Sequence, residues 1–353
     1  MGFAVAENQE FTLPPLEERP LVTFALFAYN QEKYIREAVE GAFAQTYEPL
    51  EIILSDDCST DRTFEIIEEM AAGYVGPHKI KINRNIVNLG TALHVQVVFS
   101  QSRGALFVVA AGDDISLPDR TKTLFERWKE ENFSISTIYS RHYSFDERRP
   151  FEKKVAELKT NALGANQYTL FLNSRFVQPA APTCAYSREI LELFPTLLGG
   201  SVIEDTPLFF RTCLIGNFLC VDEPLVLQRR HEENSGTGFT LENTPKWNRF
   251  TQSRIIALRT MQRDLSSKSI KINLKERSML EKAFLKRIKK ASSLILPETR
   301  RPDLIEMMKF IFHTLIMSSV PGGLMDRIKF CYLFFMLDKL KIHKYLSQIY
   351  RKK

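Results

Sequence analysis

The first half of the chain alternates short apolar runs with amphipathic segments, and this alternation constrains the fold more than any other feature. Runs rich in β-branched and aromatic residues occur near residues 21–30, 50–57, 78–84 and 105–111, and helical patterns separate them. Alternating strands and helices predict right-handed crossover units and a mostly parallel sheet with helices on both faces. The predicted fold class is therefore α/β, with a Rossmann-like sheet.

Polar side chains follow three of these predicted strands at the point where each strand ends. They lie at residues 29–30, 56–57 and 113–114. Asn30 also stands where it can cap the helix predicted after the first strand. Because ligands of parallel α/β sheets bind beyond the carboxyl ends of the strands, we expect these three clusters to line one crevice.

The adjacent carboxylates Asp113 and Asp114 end a strongly apolar run. Two neighbouring negative charges are costly unless they are solvated or neutralised, and a divalent cation with oxygen ligands is a common neutraliser. Mg²⁺ or Mn²⁺ bound by one or two carboxylates usually shares its remaining positions with water and phosphate oxygens. The pair therefore indicates a metal site for a diphosphate-bearing substrate, or alternatively a cap for the helix predicted near Pro118.

Charge divides the chain into two parts. Residues 245–353 contain 25 Lys and Arg against 8 Asp and Glu, a net charge of +17, whereas residues 1–244 contain 23 against 34, a net charge of −11. Helical patterns that interleave aromatic residues with lysine and arginine fill the basic part, notably at residues 326–353. They predict contact with an anionic membrane surface, or else a helical subdomain that packs on the catalytic core or on another subunit. The acidic body argues against nucleic-acid binding.

The cysteines and the N-terminal residues indicate the cellular compartment in which the protein is expected. The five cysteines form no CxxC pair and are widely spaced, which is unlike a disulfide framework or a zinc site. Residues 1–20 lack the basic start and apolar run of a secretory signal. We expect a cytoplasmic protein, with peripheral contact to the inner face of the plasma membrane as an extension of that prediction.

Several quoted motifs carry a resemblance to a known family. The stretches "TFALFAYN", "ILSDDCSTDRT", "VNLG" and "AAGDDISLPDR" occur in order between residues 23 and 120. They resemble glycosyltransferase family 2, a group of inverting enzymes with the GT-A fold, closely over residues 21–125 and more weakly to residue 236. The resemblance predicts a GT-A domain over residues 21–236, and composition and charge add an N-terminal extension over 1–20 and a basic helical region over 237–353.

The resemblance also implies a nucleotide-sugar site. In the family, the peptide after the first strand surrounds the nucleotide, which here implies Phe27, Ala28 and Tyr29. The first Asp after the second strand reads the pyrimidine base, which here is Asp56. Asn88 of the "VNLG" motif is assigned to the same donor site.

The acidic motif after the fourth strand is implied to bind ribose and the metal diphosphate. Many family members have Asp-x-Asp there, but Ala111 stands at the first Asp position and leaves Asp113 and Asp114 as candidates. The stretch "QRRH" is similar to the family's Tyr-Arg-x-His motif, so Arg229 is assigned to the diphosphate and His231 to the metal.

The motif "VIEDTPLFFR" supplies the candidate base. Inverting transfer requires a group that deprotonates the acceptor hydroxyl as the hydroxyl attacks the anomeric carbon. The family places this base in an "ED" motif, which here implies Asp205. The alternative is that Glu204 and Asp205 only cap the helix that begins near Thr206.

The predicted function is a metal-dependent inverting glycosyltransferase in cell-surface polysaccharide or lipopolysaccharide synthesis. The predicted cofactor is Mn²⁺ or Mg²⁺, the donor is UDP- or dTDP-linked, and the acceptor is a glycan or lipid-linked glycan. Assembly as a homo-oligomer is left open. A non-catalytic nucleotide-sugar-binding scaffold is the alternative. A Rossmann dehydrogenase and a sugar-nucleotide pyrophosphorylase are excluded, because no glycine-rich phosphate loop follows the first strand.

Overall fold

The computed structural model describes residues 16–146, 149–155, 179–231, 244–267, 270, 272–293 and 295. The strands are β1 Val22–Ala28, β2 Leu50–Asp56, β3 Lys79–Arg84, β4 Leu106–Ala111, β5 Ile115–Ser116, β6 Ile135–Asp146, β7 Arg149–Val155, β8 Cys184–Ser187 and β9 Asn217–Arg230. The helices are α1 Ile35–Phe43, α2 Thr63–Ala72, α3 Thr91–Gln101, α4 Arg120–Glu130, α5 Glu189–Glu192, α6 Asp205–Ile215, α7 Thr244–Asp264 and α8 Leu274–Ser292.

The first four strands form the parallel half of the sheet in the order β3-β2-β1-β4. All seven residues of β1 are buried, as expected for a central strand covered on both faces. Ala28 is in register with Asp56, and Phe27 with Ala111, so the ends of β1, β2 and β4 lie side by side. The predicted α/β sheet and its convergent strand ends are confirmed.

The second half of the sheet is mixed. β8 runs antiparallel to β4 and β6, β6 runs parallel to β9, and β5 pairs with β9. Residues 141–164 have the pattern of irregular structure in the sequence, but residues 135–146 form one long strand. Buried polar side chains conceal that strand from a hydrophobicity pattern: the hydroxyl of Thr137, for example, lies 2.5 Å from the hydroxyl of Thr212 on α6.

Helices cover both faces of the sheet, as predicted. Phe24 and Leu26 of β1 point into a core shared with α1, α2 and α4, while Ala25 and Phe27 point into a second core with α3 and α6. The alternation of buried side chains along β1 therefore joins two hydrophobic cores through one strand.

The turn after β1 differs from the prediction. Helix α1 begins at Ile35, after Tyr34, and Asn30 does not cap it. Asn30 has a positive φ of 52°, and its side-chain oxygen accepts a hydrogen bond from the backbone N–H of Thr60 at 2.8 Å. An Asn side chain in this conformation ties two loops together, which is an alternative to capping a helix.

Two of the predicted C-terminal helices are confirmed as α7 and α8. Asn273 caps α8 by accepting a hydrogen bond from the N–H of Glu276 at 2.9 Å. Both helices pack on α6 through a small apolar core of Phe210, Met261, Leu265, Leu280 and Phe284. None of the described helices has the length and apolarity that crossing a bilayer requires. The helices predicted after residue 300, including the one at residues 326–353, lie outside the described residues.

Candidate active site

Asp56 lies fully buried at the end of β2, where the strand gives way to a polar turn. Its carboxylate accepts hydrogen bonds from the backbone N–H of Ser59 at 2.8 Å and from the Ser59 hydroxyl. The Nε of Arg84, at the end of β3, lies 3.6 Å from Asp56 Oδ2. The carboxylate is therefore held in one orientation beside a guanidinium.

Arg84 is a site residue that the sequence analysis missed. Its Nη2 donates to the carbonyl of Ser59 at 3.0 Å, and its guanidinium lies 4.7 Å above the ring of Phe64. These contacts fix the cation at the strand end rather than leaving it in solvent. Its position at the end of a predicted parallel strand was the only available signal in the sequence.

Asp57 has a structural role that its neighbour lacks. Its carboxylate accepts hydrogen bonds from Asn85 Nδ2 at 2.7 Å and from the backbone N–H groups of Leu89 and Gly90, each at 2.9 Å. Gly90 has a φ of 73°, which glycine adopts without steric cost. These bonds hold the loop that carries Asn88, whose side-chain oxygen also accepts from the Gly90 N–H at 3.2 Å.

Of the predicted nucleotide-binding peptide, Phe27 and Ala28 end β1 and Tyr29 follows it, and the peptide offers mainly backbone atoms to a ligand. The side chain of Phe27 is buried against the ring of His94, with centroids 5.0 Å apart, and Ala28 is also buried. The carbonyl of Phe27 accepts from the Gly112 N–H at 2.8 Å. Tyr29 is 41% exposed, and it is the member of the predicted trio whose side chain reaches solvent.

Asp113 and His231 lie together. The Nε2 of His231 is 3.1 Å from Asp113 Oδ2, and its ring lies against that of Tyr34 with centroids 4.5 Å apart. A carboxylate oxygen and an imidazole nitrogen in contact match the donor types that Mn²⁺ accepts. Within the described part of the chain, no group of three or more such residues forms a complete metal shell, so water and substrate oxygens would have to provide the rest.

Asp114 occupies a deeper position than Asp113. It is buried, and its Oδ1 accepts a hydrogen bond from the Arg229 backbone N–H at 2.9 Å. Burial and the neighbouring charge of Asp113 raise the pKa of Asp114 to about 8, although the Arg229 N–H and two nearby arginines oppose the shift. Asp113 is thus the better placed of the two carboxylates to face a ligand.

Arg229 lies behind the acidic motif. Its Nε donates to the carbonyl of Asp113 at 3.1 Å, and its Nη2 pairs with Glu37 Oε2 at 3.0 Å. Its guanidinium lies 4.9 Å from the centroid of the Tyr34 ring and 4.8 Å from that of Phe145. These contacts hold the backbone of the acidic motif in place. Glu37 and Tyr34 are two further site residues that the sequence did not reveal.

Glu204 and Asp205 lie at the start of α6. Glu204 is buried, and burial together with the charge of Asp205 raises the pKa of Glu204 to about 8. The Glu204 side chain makes no capping hydrogen bond, which weakens the interpretation that the pair only caps the helix. Asp205 is partly exposed, and its Oδ1 accepts from the Thr206 N–H at 2.6 Å. A partly exposed carboxylate at a helix N-terminus is stabilised in its ionised form.

Ser201 connects this acidic pair to the donor-side loop and to α7. Its carbonyl accepts from the N–H of Ala92, just after Gly90, at 3.3 Å. Its hydroxyl accepts from the Ile203 N–H at 3.1 Å and lies 3.2 Å from the carbonyl of Ser253 on α7. Ser201 is 1% exposed, so these bonds are shielded from water.

The first half of the chain is similar to known glycosyltransferases. The sequence profile of glycosyl transferase family 2 matches residues 23–194. The chain is 38% identical over 125 residues to an uncharacterized glycosyltransferase of Haemophilus influenzae, which covers 35% of this chain and 38% of the relative. It is 32% identical over 114 residues to the succinoglycan biosynthesis protein ExoO of Rhizobium meliloti, with 32% and 31% of the two chains covered.

These alignments span only part of each relative, and other relatives at 43% identity are covered over 25% of their length. Among solved structures, residues 1–349 of Staphylococcus aureus TarS in complex with UDP-GlcNAc superpose with a TM-score of 0.51. The identity is 18%, and 85% of this chain and 81% of that chain are covered, which shows a shared GT-A fold. The profile match and the partial alignments show that residues 23–194, just under half of the chain, form a glycosyltransferase family 2 domain.

Proposed function

We propose that this protein is a metal-dependent inverting glycosyltransferase that transfers a sugar from a UDP- or dTDP-linked donor to an acceptor hydroxyl. The observation that carries the proposal is that Asp56, at the end of β2, and the contacting pair Asp113 and His231, after β4 and β9, lie at the same edge of the sheet. We assign residues 21–236 to the transferase unit and residues 237–353 to a basic region whose described part forms α7 and α8.

The contacts of Asp56 support a uracil or thymine base. Uracil and thymine present a ring N–H between two carbonyl oxygens, which suits a carboxylate acceptor with a guanidinium donor beside it. Asp56 and Arg84 supply that combination. Cytosine and adenine lack the ring N–H. Guanine also presents a ring N–H, beside an exocyclic amine, and titration of GDP tests that alternative.

The pair Asp113 and His231 would hold Mn²⁺ or Mg²⁺. A divalent cation bound there neutralises the charge of the departing diphosphate. Asp114 lies behind the pair, and Arg229 fixes the backbone that presents Asp113. The role of Arg229 is then to orient the acidic motif, since its guanidinium is occupied by Glu37 and the Asp113 carbonyl.

Asp205 is the proposed base. Burial and the charge of Asp205 raise the pKa of Glu204 to about 8, which makes Glu204 a poor proton acceptor near neutral pH and leaves the partly exposed Asp205 as the base. A partly exposed, ionised carboxylate can accept the proton of an acceptor hydroxyl as its oxygen attacks the anomeric carbon. Attack from the face opposite the diphosphate inverts the configuration of the sugar.

The proposed acceptor is a glycan or lipid-linked glycan of a cell-surface polysaccharide or lipopolysaccharide, made in the cytoplasm. The named role of the relative ExoO in succinoglycan biosynthesis supports this acceptor class. A non-catalytic nucleotide-sugar-binding scaffold is the second candidate, and the observation that favours it is Ala111 in place of the family's first Asp.

Calorimetric titration of UDP, dTDP and GDP, with and without Mn²⁺, tests the proposal on three proteins. These are the wild type, Asp113→Asn and Asp205→Asn. We expect the wild type to bind UDP or dTDP only with Mn²⁺, Asp113→Asn to lose binding, and Asp205→Asn to retain it. If no nucleotide binds the wild type, the donor site is wrong.

An assay of sugar transfer distinguishes the glycosyltransferase from the non-catalytic scaffold. With donors carrying the preferred nucleotide, the enzyme should release free nucleoside diphosphate, and Asp205→Asn should not. Nucleotide binding without turnover of any such donor, including slow hydrolysis, would instead favour the scaffold.

A further inference from the structure

The outer face of α8 carries a stripe of lysines. Lys275, Lys282, Lys286, Lys289 and Lys290 are all exposed, and their spacing of seven, four, three and one residues brings them to one side of the helix. The opposite side carries Leu280, Phe284 and Ala291, which are buried. Packing on α7 therefore fixes which face of α8 points to solvent. We call these five residues the lysine stripe.

No described carboxylate forms an ion pair with any member of the lysine stripe. The whole of α8 contains seven Lys and Arg but only Glu276 and Glu281 as acidic residues, and neither of these is fully exposed. Residues 296–353 carry 11 Lys and Arg against 5 Asp and Glu, so that part of the chain is also net positive. Among the described residues the lysine stripe therefore has no acidic partner, and its charge is available to an anionic surface.

Apolar side chains accompany the lysines. Met279 lies within the stripe and is 52% exposed, and Leu285 lies at its edge and is 55% exposed. A soluble polyanion gains nothing from such side chains. At a bilayer surface, methionine and leucine enter the boundary between headgroups and acyl chains, while lysine side chains extend toward the phosphates.

We propose that the lysine stripe of α8 binds the surface of an anionic lipid bilayer. This inference adds an interaction surface to the proposed function and does not depend on the sugar donor. Each lysine near an anionic membrane contributes about 1 kcal/mol, and salt screens the attraction. Removing three lysines should therefore lower the partition coefficient roughly 100-fold.

Vesicle co-sedimentation of the full chain tests the proposal. The vesicles are phosphatidylcholine alone, or equal parts of phosphatidylcholine and phosphatidylglycerol. We expect the wild type to bind the mixed vesicles but not the neutral ones, and we expect added salt to release the bound protein. The triple variant Lys282→Gln, Lys286→Gln, Lys289→Gln should lose binding roughly 100-fold.

Two matched variants isolate the cause. Replacing the same three lysines by arginine preserves the charge and should preserve binding. Replacing Lys33, Lys79 and Lys122 by glutamine removes the same charge from the acidic body and should leave binding unchanged. Wild-type binding by the α8 glutamine variant, or equal binding of the wild type to neutral vesicles, overturns the proposal.

A second copy of the chain is the main competing partner, because residues 1–244 are net negative. If sedimentation velocity shows a dimer that the α8 glutamine variant dissociates, and the wild type ignores lipid, the stripe is a subunit contact and the bilayer proposal is wrong. Circular dichroism and the melting temperature confirm that each variant is folded, and they keep this result separate from any failure of the donor site.

Discussion

Asp113 Oδ2 and His231 Nε2 lie 3.1 Å apart although 118 residues separate them in the sequence. One residue follows β4 and the other follows β9, so the contact links a loop of the parallel half of the sheet to a loop of the mixed half. Tyr34 packs on the His231 ring and Arg229 holds the Asp113 carbonyl, which together orient both ligand candidates. Such support around a metal pair is typical of metal sites in proteins.

The first prediction concerns this pair. Asp113→Ala and His231→Ala should each weaken Mn²⁺ binding in the presence of UDP by about tenfold or more, because each removes a donor atom. The loss of free Mn²⁺ signal in electron paramagnetic resonance measures the affinity. Asp222→Asn, which removes an exposed carboxylate that pairs with Arg141 on the far part of β9, is the control and should bind Mn²⁺ normally. Equal affinity in all three variants would place the metal elsewhere.

The second prediction concerns the different roles of the two carboxyl groups at α6. Asp205→Asn should lower kcat by roughly 10² to 10⁴, the usual contribution of a general base. Glu204→Gln should keep much of the activity at neutral pH, because glutamine resembles the protonated acid that burial favours. Single-turnover rates with saturating donor measure both effects. A collapse of kcat in Glu204→Gln with normal rates in Asp205→Asn would exchange the two assignments.

The third prediction is a pH dependence of stability. The pKa of Glu204 rises from 4.5 to about 8 on folding, so the folded state binds a proton that the unfolded state has released between those values. Stability from this group is complete below about pH 4.5 and is lost as pH rises through 8. Melting temperatures between pH 5 and 8 should therefore fall more steeply for the wild type than for Glu204→Gln. If the melting temperatures of the two proteins fall equally with pH, the buried carboxyl of Glu204 is not the cause of the pH dependence.

The parallel half of the fold could be predicted because β1, β2 and β4 are mostly apolar runs and β3 alternates polar and apolar residues. The polar ends of those strands likewise indicated the crevice, since parallel strands all end at one edge. β6 escaped prediction because Ser136, Thr137 and Ser140 are buried polar residues within it. Arg84 and Glu37 escaped for a different reason, since an exposed charge in the sequence acquires its meaning only from the partner that folding brings to it.

The fourth prediction concerns the ion pair between α6 and α7. Arg211 and Asp264 are both 0% exposed, and two nitrogens of the arginine contact the two carboxylate oxygens at 2.8 and 3.0 Å. Breaking a buried pair leaves one charge uncompensated, which costs about 3–5 kcal/mol. Asp264→Asn should therefore lower the free energy of unfolding in urea by that amount. The double variant Arg211→Met, Asp264→Leu should recover part of the lost stability. If Asp264→Asn unfolds with the same free energy as the wild type, the ion pair does not hold α7 in place.

The fifth prediction assigns Ser201 a positioning role. Its hydroxyl holds the Ile203 N–H and contacts the Ser253 carbonyl, and its own carbonyl holds the loop after Gly90. Ser201→Ala should lower kcat about tenfold with little change in the donor KM, because the base shifts while the nucleotide contacts remain.

Ser102→Ala is the matched control for that experiment. Ser102 is also buried, and its hydroxyl donates to the Phe99 carbonyl at 2.7 Å, at the far end of α3 from the site. Each substitution removes a hydrogen bond and should cost about 1 kcal/mol of stability. Only Ser201→Ala should also reduce kcat, and Ser201→Thr, which keeps the hydroxyl, should restore part of it. If both alanine variants lose stability and neither loses activity, Ser201 serves the fold alone and the base is positioned by α6 itself.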